Sequence, residues 1–110
     1  MRLGVLTEPE GENRVAIVPN SVKKLVKKGL EVLVESGAGD KSNYSDSEYI
    51  AAGAIIDSRD NVLSSELIIS IRMPEISELR SGLNLVCVAD PFRHPEKINS
   101  CISSNVNLFS

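Results

Sequence analysis

The chain of 110 residues has no tryptophan, two tyrosines, two phenylalanines, one histidine and two cysteines. Each scarcity removes a class of function. A nucleic-acid surface usually needs concentrated positive charge and often aromatic platforms, and a net charge of −3 with so few aromatic rings argues against one. A metal centre would have to be built from His94 and carboxylates, and nothing has zinc-finger or two-histidine helical spacing. Cys87 and Cys101 fall in apolar patterns with no cationic partner in sequence, so both read as buried, reduced and inert. No segment approaches the ~20 consecutive apolar residues that span a bilayer. The opening Met1–Leu6 is too short for a secretory signal and lacks a cleavage pattern. The chain therefore reads as cytosolic, with any membrane contact made through a partner.

What is present is an ordinary globular composition, 42% apolar and 25% charged. The length suits one domain, 1–110, that buries roughly two thirds of the surface of its unfolded chain. Lys23, Lys24, Lys27 and Lys28 lie opposite Val22, Leu25 and Val26 at helical spacing, which is the solvated face of a surface helix.

Apolar runs and helical segments alternate along the sequence. Strands are expected at Leu3–Leu6, Val32–Val34, Ala54–Ile56, Leu67–Ile71, Leu85–Val88 and Val106–Phe109. The first helix starts near Pro19 or Asn20 and stops at Gly29, with Asn20 or Ser21 available as caps because Val18 has no capping side chain. Ser45 and Glu48 have the form of a capping box, and Ser58 can cap a further helical turn. Pro74 is expected to open a helical turn through Leu79. Pro95 is expected to open a last helix with Ile98, Cys101 and Ile102 on its buried stripe, and His94 stands at its N-cap position. Short strands separated by helices imply right-handed crossovers and a doubly wound, mostly parallel α/β sheet of five to six strands with helices on both faces, Rossmann-like or flavodoxin-like. A final strand followed only by Ser110 suggests an N-terminal fragment of a longer chain.

In such folds ligands gather beyond the carboxyl ends of the strands. Three residues fall there: Arg14 after the first strand, Arg72 after the fourth and Asp90 after the fifth. Arginine offers a planar fork for a carboxylate or phosphate, and an aspartate can orient a guanidinium or accept a proton. An equally good reading makes Arg72 and Asp90 a structural ion pair. Gly37-Ala38-Gly39 invites a dinucleotide fingerprint, but Ser42 holds the place of its third glycine and the helix begins too late to receive a pyrophosphate. Asp57 then becomes a strand-end or capping residue. Within this chain no catalytic, cofactor-binding or metal-ligating residue is assigned; the three are cleft-lining candidates.

The stretches EPEGENRVAIVP (8–19), VKKLVKKGLEVLVESGAG (22–39) and YSDSEYIAAGAII (44–56) closely resemble the N-terminal domain shared by alanine dehydrogenase and the α subunit of the proton-translocating NAD(P) transhydrogenase. The resemblance covers essentially the whole chain. In alanine dehydrogenases it implies that the residue at Arg14 binds the substrate carboxylate, a lysine follows the fourth strand, and a proton-transferring histidine follows the fifth. Here Arg72 stands at the lysine and Asp90 at the histidine, with His94 four residues beyond it. An arginine keeps the charge but is effectively never deprotonated.

That pattern looks like the transhydrogenase branch. The resemblance then implies NAD(H) bound mainly by a second, dinucleotide-binding domain beyond residue 110, and NADP(H) on a partner subunit or domain. It also implies hydride transfer from NADH to NADP⁺ driven by proton flow through membrane-embedded components, a homodimer of the full α subunit, and a cytoplasmic place peripheral to the inner membrane. The ending VNLFS resembles the strand before a transhydrogenase segment of the form Met-Pro-Arg-Ile-Ser-Arg-Ala-Gln. The 110-residue chain alone is not expected to be active. Two other readings stay open: an amino-acid dehydrogenase relative in which Arg14 and Arg72 clamp a carboxylate, and a non-catalytic interaction fragment.

Overall fold

The computed structural model describes residues 1–88 and 106–109. Its strands are β1 (Arg2–Val5), β2 (Glu31–Glu35), β3 (Ile55–Asp57), β4 (Leu67–Ser70), β5 (Asn84–Cys87) and β6 (Asn107–Phe109). Between them lie α1 (Pro19–Lys27), α2 (Asp46–Ala51) and α3 (Arg59–Leu63), with single 3₁₀ turns at Asp40–Ser42 and Ile76–Glu78. All six strands are parallel, in the order β3-β2-β1-β4-β5-β6. The chain steps outward from β1 to β3 and then crosses back to start β4 on the other side of β1. The switch point of this α/β Rossmann-like sheet therefore lies between β1 and β4.

Alternation along the strands builds two cores. Val32 and Val34 join Leu3 and Val5 beneath Val22 of α1 and Tyr49 of α2, while Leu33 between them joins Ile68 and Val62 of α3 on the opposite face. Gly4 lies where α3 approaches most closely. A Cβ built there would sit 2.7 Å from both Ile68 Cδ1 and the Val62 carbonyl oxygen, so only glycine admits that approach.

Local signals fix the helix ends. Ser45 accepts from the Glu48 N–H while the Glu48 carboxylate accepts from the Ser45 N–H, the reciprocal capping box expected. The Ser58 side chain accepts from the Asn61 N–H at the start of α3. After α1, Gly29 adopts φ +92°, with Gly29 N–H on the Val26 carbonyl and Leu30 N–H on that of Leu25, a Schellman ending.

Expectations for one helix cap and one turn change. Neither Asn20 nor Ser21 caps α1: Val18 is the N-cap without a side-chain bond, and Pro19 at the first helical position has no N–H to satisfy. The turn after Pro74 is shorter than expected, a 3₁₀ turn over Ile76–Glu78. Asp90, His94, Cys101 and the expected helix from Pro95 lie outside the described residues. Cys87 is buried, its thiol donating to the Ile71 carbonyl at 3.4 Å.

Candidate functional site

The loop that leaves β1 carries Glu8, Glu10, Glu12 and Arg14, and it is pinned at several points. Pro9–Glu12 is a turn closed by the Glu12 N–H on the Pro9 carbonyl at 3.0 Å, with Gly11 at φ +94° where a type II turn needs a positive angle. Further on, Ser42 Oγ donates to the Asn13 carbonyl, and Tyr49 Oη donates to the Ile17 carbonyl at 2.7 Å. Val15 and Ile17 bury their side chains in the core, which draws the polar half of the loop over the carboxyl edge of the sheet.

Two of its glutamates are buried. Glu8 is 6% exposed and caps the end of β4: its Oε2 accepts the Ile71 N–H and its Oε1 the Arg72 N–H, both at 2.8 Å. Burial pushes its carboxyl above the usual 4.5, against the opposing pull of those two N–H groups. Glu12 is 7% exposed and surrounded by guanidinium. Its Oε2 accepts from Arg14 Nε at 3.0 Å and from the Arg14 backbone N–H at 3.2 Å. Its Oε1 accepts from Arg14 Nη2 at 2.8 Å and from Arg72 Nε at 2.9 Å. The Arg14 contact above all holds the Glu12 carboxyl down at about 2.

The fold thus brings Arg14 and Arg72 together through a shared carboxylate. Arg72 lines a cleft of about 340 Å³ with Leu6, Thr7, Glu8, Ser70, Met73 and neighbouring residues, directly over the switch point. Arg14 is not among the lining residues; its guanidinium bonds Glu12 on a largely exposed side chain. Arg72 pairs with Glu12, and Asp90, its other proposed partner, is outside the described residues. On the opposite wall, Glu35 Oε2 accepts from the Thr7 N–H at 2.6 Å and from Arg59 Nη1 at 3.0 Å, and Arg59 continues to Glu78 at 2.8 Å. Glu8, Glu12, Glu35 and Arg59 are not among the residues that the sequence marks as candidates, because glutamates beside proline and glycine look like solvated loop residues. The available signal was two glutamates flanking a turn immediately before a lone arginine.

A dinucleotide's phosphates do not fit these residues. The loop after β1, where dinucleotide-binding folds place pyrophosphate, presents two buried carboxyl groups. The Gly37 N–H is already taken by Asp46 Oδ1 at 2.9 Å. Asp57 closes β3 and accepts from the Ser58 N–H and Asn61 Nδ2, serving α3. Among the described residues no cluster of His, Cys, Asp and Glu could hold a metal ion, and no helix is long and apolar enough to cross a membrane.

Residues 4–110 match the family model described as "Alanine dehydrogenase/PNT, N-terminal domain". The chain belongs to that family. It is 31% identical over its whole length to the NAD(P) transhydrogenase subunit alpha of Haemophilus influenzae, covering 22% of that protein. It is 41% identical over 77% of its length to the alanine dehydrogenase of Mycolicibacterium smegmatis, covering 24% of that one. The crystal structure of transhydrogenase from Sinorhizobium meliloti superposes on all of it with a TM-score of 0.92 at 32% identity, over 34% of that chain. An L-alanine dehydrogenase structure does so with a TM-score of 0.90 at 25% identity, over 32% of that chain. This family member therefore spans about a quarter or less of the curated relatives' length.

Proposed function

We propose that the chain is the N-terminal domain of the α subunit of a proton-translocating NAD(P) transhydrogenase, where it forms one wall of the NAD(H) cleft. NADH and NADP⁺ are then substrates: hydride passes from the first, held mainly by a second α-subunit domain, to the second on a partner subunit or domain. Membrane-embedded components couple the transfer to proton flow. The full α subunit acts as a homodimer peripheral to the membrane on its cytoplasmic side.

The state of Arg72 carries this reading. It stands where alanine dehydrogenases have a lysine, and its Nε–H is bonded to a carboxylate that stays ionised down to about 2. A guanidinium so held cannot exchange protons with a substrate amine near neutral pH, whereas nicotinamide-to-nicotinamide hydride transfer needs no proton carrier at that point. The misfit of phosphate groups to the loop after β1 supports placing the dinucleotide's phosphates on another domain.

The test is reconstitution of the full-length protein with its membrane partners in vesicles. NADH-driven reduction of an NADP⁺ analogue with accompanying proton movement is the expected result. A second reading, amino-acid dehydrogenation with Arg14 and Arg72 clamping a carboxylate, draws on the 41% identity to an alanine dehydrogenase. NADH oxidation that requires pyruvate and ammonium, without NADP⁺ reduction, would establish it instead.

A further inference from the structure

We infer that Glu12 is a positioning residue whose carboxylate presets the guanidinium groups of Arg14 and Arg72 as a pair at the switch point. The inference deepens the proposed role of this cleft and rests on the cleft being the working site. Two guanidinium groups repel each other, and a single buried anion between them reverses that effect. Each Glu12 oxygen is used: Oε1 by both arginines, Oε2 by Arg14 alone. Bonding through Nε and Nη2 fixes the plane of the Arg14 guanidinium, because the fork is rigid. Arg72 is held twice, its side chain by Glu12 and its backbone N–H by Glu8. Among the described residues only Nε of its guanidinium is engaged, on a side chain that lines the cleft. The Pro9–Glu12 turn sets where the Glu12 backbone lies, and the buried carboxylate is therefore directed from its own loop.

The full-length protein, labelled with ¹⁵N-arginine, supplies the test. Steady-state rates are taken in whichever reaction the wild type catalyses, NADP⁺-analogue reduction or pyruvate amination. Failure of the transhydrogenase reading thus leaves this test standing. In Glu12→Gln the Nε–H signals of both arginines should move together, and kcat/KM should fall on the order of tenfold to a hundredfold, as expected for misplaced positioning groups. Glu12→Asp, which keeps the charge on a shorter stem, should recover part of the rate. A folded Glu12→Gln protein with kcat/KM within about twofold of wild type, or with the Arg72 signal unmoved, would overturn the inference. If Glu12→Gln does not fold, Arg72→Lys serves: charge is kept but the Nε–H is lost, so the same order of rate loss with the Arg14 signal retained is expected. Wild-type rate in Arg72→Lys would equally overturn it.

Discussion

Arg72 Nε donates to Glu12 Oε1 at 2.9 Å across 60 positions of sequence, and the backbone N–H of the same arginine donates to Glu8 at 2.8 Å. One loop thereby grips one residue by both its side chain and its main chain. The two glutamates reach this arrangement in opposite electrostatic states, Glu12 stabilised as an anion by guanidinium and Glu8 destabilised as an anion by burial.

Opposite shifts give opposite pH dependences. The folded Glu12 value of about 2 lies below its ordinary 4.5, so its stabilisation is present above 4.5 and lost as pH falls from there through about 2. The raised value of Glu8 works the other way: folded protein binds that proton first, and stability gains slightly as pH descends toward 4.5. Thermal melts between pH 6 and 2 should therefore steepen below about 4.5 in wild type and flatten in Glu12→Gln. An identical profile in the two proteins would show that Glu12 does not titrate low.

Gly4→Ala puts a methyl group against a backbone carbonyl and Ile68 at 2.7 Å, and the carbonyl belongs to α3. Urea unfolding should show a loss of roughly 1–3 kcal/mol, the usual cost of overpacking. An unchanged midpoint would mean that α3 can retreat from β1 freely.

Tyr49 is fully buried, and its hydroxyl, pushed up to about 12 chiefly by burial, serves the Ile17 carbonyl. Tyr49→Phe leaves that acceptor without its donor and should cost roughly 1–3 kcal/mol by chemical denaturation. Because this bond ties the loop to α2, amide exchange between residues 13 and 18 should quicken as well.

Leu85 is completely buried in the core under α3. Truncation to alanine should remove about 2–5 kcal/mol, since a central strand position can collapse only partly around the cavity. Calorimetric unfolding measures this directly.

The architecture was legible because its signals are local. Val32-Leu33-Val34 announces a strand covered on both faces, Ser45 and Glu48 announce a helix start, and Gly29 announces an end. The expected strand ends at Leu6, Ile71 and Val88 each run one residue past the observed ends because apolar character continues there. At Ile71 the reason is visible: its N–H belongs to Glu8. The site was legible only in part. Arg14 and Arg72 stand out as cations after strands, whereas Glu8 and Glu12 are marked only by flanking a turn just before Arg14. Part of their environment, the Ile71 and Arg72 N–H groups and the Arg72 guanidinium just past β4, lies some sixty positions away, and only the fold brings it to them.

The most direct measurement follows the hydride itself. The full-length protein with its partners is given NADH deuterated at the transferred position of C4, together with NADP⁺, pyruvate and ammonium, and the products are weighed by mass spectrometry. Deuterium in the NADPH formed is the expected result. Deuterium in alanine, with none in NADPH, would contradict the transhydrogenase assignment.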